Sequence, residues 1–365
     1  MITKFAVTNY RGFKDRIELD LSTPNGYSYS TYAIKDNIVK DLMMYGPNGS
    51  GKSNIGYAIF DIVEHLTQKN KQLNPYGNYT YAGNMLPVKF EYGFVFDGKQ
   101  ILYEYTKNHQ GTLLTEKLVS GDTVVFDRLQ NKIVINENMF TVLQSVKDDL
   151  LAQANNVSII SYLRTVYPMT KDNPIVQVFD FVDRMLWFRC LQDRGYIGFE
   201  TGTTSLEEYI IENNLLPDFE QFVNVVSGQH FHFDKPNSGE KSIFCLIDGH
   251  RIAMRAIEST GTDSLKLLYY WLSKMKDASF VFVDEFDAFY HFELAYEVCK
   301  RLFAQSCQVI LTTHNTSLMT NNLLRPDCYY LIDGKNVKPL NKCTLKELRM
   351  GHNLEKLYRG NEFEI

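Results

Sequence analysis

Gly46-Pro47-Asn48-Gly49-Ser50-Gly51-Lys52-Ser53 sets the fold of this chain. Its spacing is G-x-x-x-x-G-K-[ST], and its flanks predict a strand before it and a helix after it. Upstream, Leu42-Met43-Met44-Tyr45 is a short apolar run suited to a buried strand. Downstream, Ile55, Ala58, Ile59, Ile62 and Leu66 recur at helical spacing across Asn54–Leu66. The glycines let the backbone turn tightly enough to aim several N–H groups at one point. The following helix directs the positive end of its dipole to the same place. Asn48, Gly49, Ser50 and Gly51 would cradle phosphate, Lys52 would meet the β- and γ-phosphates, and Ser53 would offer its hydroxyl to Mg²⁺.

Three further stretches give that loop a chemistry. Phe280-Val281-Phe282-Val283-Asp284-Glu285 is a buried strand ending in two carboxylates. Beside a phosphate loop, Asp284 would hold Mg²⁺ and Glu285 would polarise an attacking water. Gln308-Val309-Ile310-Leu311-Thr312-Thr313-His314 is a second buried strand, and His314 at its end could bond a γ-phosphate and that water. Glu258-Ser259-Thr260-Gly261-Thr262 precedes Leu265, Leu268 and Leu272 at helical spacing. Its Ser-x-Gly-Thr turn is another phosphate cradle, with Ser259, Gly261 and Thr262 as the groups. One nucleotide needs one cradle, so the second is explained most simply if it serves the nucleotide of another protomer.

The rest of the chain divides around these motifs. Phe5–Tyr10 alternates as a half-buried strand, and Ser22–Asn37 reads as a loop. Residues 87–137 read as a meander, with Asp97-Gly98 as a hairpin turn. Helical patterning dominates about 140–225, including a run over Val176–Leu191, and neither heptads nor repeats appear. The expected organisation is an α/β head split by an insertion. Residues 1–140 form its N-terminal half, 141–235 a mainly helical insertion, and 236–365 its C-terminal half. A net charge of −5 argues against indiscriminate coating of nucleic acid. No apolar run is long enough for a bilayer, so a cytoplasmic protein without membrane contact is expected. The six cysteines lack any C-x-x-C pairing, which predicts reduced core thiols. His230 and His232 lack a third ligand nearby. The aromatic-rich stretch from 70 to 235 is the expected docking surface for a partner. The run Glu355–Gly360 reads equally as a docking tail or as part of the core.

The combination resembles the ABC-type ATPase heads of the SMC, RecF and OLD class. It is most similar to compact, coiled-coil-free ATPases found in bacterial anti-phage operons beside a TOPRIM-type nuclease or other toxic effector. Asn9-Tyr10-Arg11-Gly12-Phe13, Gly46–Ser53, Glu258–Thr262, Asp284-Glu285-Phe286-Asp287 with His291, Thr312-Thr313-His314-Asn315 and Leu324-Arg325-Pro326-Asp327 carry it, over about half the chain. The resemblance implies ATP and Mg²⁺, catalysis by Glu285 and His314, Arg11 near the nucleotide, and Asp287 in a D-loop between two sites. It also implies a homodimer or higher oligomer in which Ser259 covers the γ-phosphate of the partner's ATP. The implied role is a slow regulatory ATPase gating a separately encoded nuclease or toxin. A RecF-like, ATP-gated DNA clamp is the alternative. Two departures stand out. The signature is not Leu-Ser-Gly-Gly, with Ser238-Gly239-Glu240-Lys241 as a second candidate, and none of Gln68, Gln72 and Gln100 sits where a Q-loop glutamine belongs.

Overall fold

The expected strand, loop and helix around Lys52 form the centre of the molecule. The computed structural model describes residues 1–67, 69, 79–129, 132–136, 146, 148, 150, 157–189, 196–198, 205–288 and 290–365. Its eighteen described strands begin with β1 (Ile2–Thr8), β2 (Ile17–Asp20), β3 (Ile34–Lys35), β4 (Ile38–Val39) and β5 (Asp41–Tyr45). The meander follows as β6 (Val88–Phe96), β7 (Lys99–Lys107), β8 (Leu113–Ser120), β9 (Thr123–Leu129) and β10 (Lys132–Ile135). Next come β11 (Met185–Arg189), β12 (Tyr196–Gly198), β13 (Phe244–Ile247) and β14 (His250–Ala253). The chain closes with β15 (Phe280–Asp284), β16 (Gln308–Thr312), β17 (Tyr329–Ile332) and β18 (Val337–Pro339). The helices are α1 (Lys52–Thr67), α2 (Ile159–Val166), α3 (Pro174–Asp183), α4 (Leu206–Glu212), α5 (Leu216–Ser227), α6 (Thr260–Lys274), α7 (Phe292–Phe303) and α8 (Leu354–Arg359).

Two seven-stranded sheets enclose α1. One is antiparallel, in the order β10-β9-β8-β7-β6-β1-β2, and the Asp97-Gly98 turn has the two positive φ angles of a tight hairpin. The other runs β12-β11-β15-β16-β5-β17-β18, with β11, β15, β16, β5 and β17 mutually parallel. Those five read as unbroken apolar runs because helices or the second sheet cover both their faces. One face of α1 meets the parallel sheet: the Phe60 and Phe280 ring centroids lie 5.9 Å apart. Gly56 is required there, since a Cβ would sit 2.7 Å from the Phe282 ring. That contact outweighs the ~1 kcal/mol a helical glycine costs against alanine. The other face meets the meander, where Asp61 accepts from the hydroxyls of Tyr79 (3.1 Å) and Tyr105 (2.7 Å) and from Lys107 Nζ (2.7 Å).

Two expectations change, and one left open is decided. The helical run over Val176–Leu191 ends at Asp183, and Met185–Arg189 is strand β11 (Leu191 lies outside the described residues). Met-Leu-Trp-Phe-Arg is apolar enough for either state, and pairing with β15 decides it. Thus the span 141–235 contributes a core strand as well as helices. Second, Phe181, Trp187, Phe188, Phe219 and Phe222 are buried in the core, so these aromatics offer no docking surface. Third, Glu355–Gly360 packs on the core rather than standing free, with Leu354 buried and Glu355 accepting from Thr316 Oγ1 at 3.2 Å. The five described cysteines are unpaired and buried, as reduced core thiols are; Cys190 lies outside the described residues. No helix among the described residues is long and apolar enough to cross a membrane.

Candidate nucleotide site

The parallel sheet aims the carboxyl ends of β15, β16 and β5 to one side, where ligands of open α/β sheets bind. The loop Gly46–Ser53 leaves β5 there and opens α1. Gly49 and Gly51 have φ angles of +77° and +101°, which side-chain-bearing residues rarely adopt. A Cβ on Gly51 would also lie 2.6 Å from the Phe13 ring, and one on Gly46 would lie 2.4 Å from the Ile332 carbonyl oxygen. The loop is therefore wedged between the Asn9–Phe13 turn and the end of β17. Lys52, 6% exposed, donates from Nζ to the carbonyls of Gly46 (2.8 Å) and Pro47 (3.2 Å). Burial lowers its pKa, and the charges of Glu285 and Asp284 oppose that shift. Ser50 Oγ is buried with no hydrogen-bond partner among the described residues, which suits a donor to a phosphate oxygen.

The carboxylates are held by the neighbouring strand. Asp284 is fully buried, and its Oδ1 accepts from Thr312 Oγ1 at 2.8 Å. The same hydroxyl accepts from the Glu285 backbone N–H at 2.8 Å. Glu285 has φ +48°, so the backbone turns sharply after β15. Thr313 Oγ1 donates to Asp287 Oδ2 at 2.8 Å, and burial raises the Asp287 pKa. Partial burial and then the Lys52 charge hold the His314 imidazole below its ordinary value, against Glu285, Asp287 and Asp284. His314 is thus neutral near pH 7, able to donate from one ring nitrogen and accept at the other. Lys52, Asp284, Glu285, Asp287 and His314 form one electrostatically coupled group.

Arg11 belongs to the same neighbourhood by a different route. Its guanidinium lies 4.4 Å from the centroid of Tyr57, one turn and a half beyond Lys52 on α1. Ser259, Gly261 and Thr262 lie at the start of α6. Ser259 caps α6, its Oγ accepting from the Thr262 N–H at 3.1 Å. Thr262 Oγ1 in turn donates to Gln229 Oε1 at 3.3 Å. Among the described residues, these side-chain bonds stay within the turn or reach Gln229. Ser259 is exposed and Thr262 buried. Ser238 opens no helix: its segment is a loop in which Glu240 pairs with Arg251. Arg325 and Asp327 are a buried bidentate pair, with Nε–Oδ1 2.7 Å and Nη2–Oδ2 2.8 Å, that fastens the Asn25–Tyr27 loop. His291 is an exposed cap of α7. His230 and His232 join no group of three metal-binding side chains among the described residues.

Thr312, quoted in the sequence only as part of Thr312-Thr313-His314-Asn315, bridges Glu285 and Asp284, a role its motif did not reveal. Thr312→Val keeps the shape but removes the hydroxyl's bonds to the Glu285 N–H and to Asp284 Oδ1. We expect a loss of about 1–3 kcal/mol in stability, read by denaturant unfolding. A loss below about 0.5 kcal/mol would show that the bridge is dispensable. Of the glutamines weighed for a Q-loop, Gln100 lies on β7 of the other sheet, and Gln68 and Gln72 fall outside the described residues.

A glycine-rich loop and lysine on the central parallel strand, with carboxylates on the next strand but one and a histidine on the strand between, is an arrangement suited to holding a nucleoside triphosphate. Residues 202–320, about a third of the chain, match the family described as "AAA domain, putative AbiEii toxin, Type IV TA system". Among solved structures, the chain is similar to the SMC head domain from Thermotoga maritima, at 15% identity, TM-score 0.42, and 93% and 98% coverage of the two chains. It is similar to an Smc head bound to the C-winged helix domain of ScpA at 13% identity, TM-score 0.48, with 93% and 98% covered. The recombination mediator protein RecF gives 14% identity, TM-score 0.41, with 93% and 98% covered. No curated protein matches the chain.

Proposed function

We propose that this head binds and hydrolyses ATP in sites shared between two copies of the chain, and that the paired state gates a separately encoded effector nuclease or toxin in anti-phage defence. The observation that supports this reading is a pair of helix-opening turns suited to phosphate, Gly46–Ser53 before α1 and Ser259–Thr262 before α6. In this reading Arg11, Asn48, Gly49, Ser50, Gly51, Lys52 and Ser53 bind the nucleotide. Ser53 and Asp284 would hold Mg²⁺, which supplies charge neutralisation across the phosphates when bound. Glu285 orients water and accepts its proton, and His314, neutral near pH 7, completes the water's hydrogen bonds. Ser259, Gly261 and Thr262 reach the partner's nucleotide, and Asp287 runs between the two sites. The description of the family matched by residues 202–320, which names a toxin and a toxin–antitoxin system, supports the defence role.

Mixing two inactive variants tests the shared sites. Ser259→Arg blocks one turn and Lys52→Ala empties the other, so each homodimer should be inactive. A mixed dimer keeps one intact site, and randomly exchanged subunits should regain about a quarter of wild-type turnover. No recovery, with subunit exchange demonstrated, rules the shared site out. The effector role is tested by expressing the chain with its neighbouring gene and challenging cells with a phage panel. Co-purification of that product, with restriction abolished by Lys52→Ala, is the expected result. ATP-dependent binding to DNA ends, with no restriction and no co-purifying product, would instead favour the DNA-clamp alternative.

A further inference from the structure

One ammonium group gathers the signature turn and the insertion into a single knot. Lys266 lies inside α6 and is only 4% exposed. Its Nζ meets Glu258 at 2.7 Å, Glu207 at 3.1 Å and Asp263 at 3.2 Å. Glu258 immediately precedes Ser259, and Asp263 immediately follows Thr262, so two of the three carboxylates bracket the signature turn. Glu207 comes from the first turn of α4, and its other oxygen accepts from the Ile243 N–H at 2.9 Å. A buried lysine must keep its partners, because an unpaired ammonium away from water is strongly unfavourable. Three carboxylates around one ammonium also repel each other, so their spacing depends on that group staying at the centre.

The opposite side of α6 is tied to the hydrolysis site of the same chain. Ser264 Oγ and Tyr290 OH are 2.8 Å apart, and Tyr290 stands three residues after Asp287. Along α4 the pairing with α6 continues: the Tyr209 and Tyr270 centroids are 4.7 Å apart, and Tyr209 OH bonds Ser273 Oγ at 3.0 Å. The signature helix is therefore held by the D-loop segment on one side and by the insertion on the other.

We infer that Lys266 is a positioning residue for Ser259, and that through Glu207 it lets the insertion of one protomer register the nucleotide of the other. This rests on the shared-site reading proposed above. When Ser259 engages a phosphate, any shift of its turn moves Glu258 and Asp263, and the shared ammonium passes the movement to α4. Reciprocally, whatever moves α4 changes how well Ser259 is presented, because coupling between two sites acts equally in both directions.

The test asks to which side of the composite site Lys266 belongs. Lys266→Met, Lys266→Arg and Glu207→Gln are compared in the full chain, with ATP affinity and steady-state turnover measured separately. Lys266→Met should bind ATP within about threefold of wild type and turn it over at least tenfold more slowly. Lys266→Arg should retain most of the turnover, since it restores the charge. Subunits carrying Lys266→Met should be rescued by Lys52→Ala subunits but not by Ser259→Arg subunits, a pattern that general damage to the fold would not produce. If Lys266→Met does not fold, Glu207→Gln, which leaves Lys266 paired with Glu258 and Asp263, should show the same rescue pattern with a smaller loss. The inference is overturned if turnover of both variants stays within twofold of wild type. It is equally overturned if their loss is rescued by Ser259→Arg, or by neither variant while the Ser259→Arg and Lys52→Ala pair is rescued. Failure of that control pair brings down the shared site itself, and this assignment with it.

Discussion

Glu285→Gln is expected to bind ATP as tightly as the wild type and to turn it over about 10²–10⁴-fold more slowly, the range typical of a lost general base. The change removes one negative charge and the proton acceptor but almost no volume. The backbone turn that aims the side chain should survive it, because the Glu285 N–H is held by Thr312 Oγ1 and that bond does not involve the carboxylate. Asp284 keeps its bond to the same hydroxyl, so the proposed Mg²⁺ ligand is untouched. Calorimetry gives the affinity and a phosphate-release assay gives the rate. Turnover within about threefold of wild type would transfer the role of base to another residue.

Lys52→Ala should show the reverse pattern, a loss of binding with the fold retained. Lys52 stands at the first position of α1, where alanine is the best helix former, so the helix should remain. What disappears is the fixed positive charge beside the loop, which among the described residues bonds the Gly46 and Pro47 carbonyls. ATP affinity should fall at least tenfold, about 1.4 kcal/mol or more, with an unchanged unfolding midpoint in the absence of nucleotide. Equal affinity in the two proteins would remove Gly46–Ser53 from the site.

These expectations could be written from the sequence because the loop's geometry is local. Glycines at Gly46, Gly49 and Gly51, a lysine and a hydroxyl must follow one another in the chain, and short apolar strands on either side of the molecule announce their own ends. The meander was legible for a similar reason, since alternation in Val88–Phe96 and a hairpin turn at Asp97-Gly98 are properties of neighbouring residues. What was not legible depends on partners distant in sequence. Met185–Arg189 looks like the continuation of α3 until β15 is placed beside it. Lys266 reads as one more charge on a helix surface, and only the folded chain brings Glu207 and Glu258 to it. Thr312 has the composition of any strand end, and its bridging role exists only when β15 lies alongside β16.

The order of strands in the parallel sheet also has a consequence for synthesis. Strand β5 is flanked by β16 and β17, both encoded near the other end of the chain. Roughly 260 residues separate Tyr45 from Gln308, so a ribosome adding about 5–20 residues per second leaves β5 without its permanent neighbours for some 13–50 s. During that interval the phosphate loop has no finished sheet to stand on, and Asp41–Tyr45 is an apolar segment in search of pairing. The antiparallel meander has no such delay: β6 to β10 emerge in succession and each pairs with the one before. The nascent chain therefore has an early-folding half and a late-closing half. Nucleotide cannot stabilise the protein until the late half arrives, which makes the newborn chain, rather than the finished one, the state most exposed to aggregation and proteolysis.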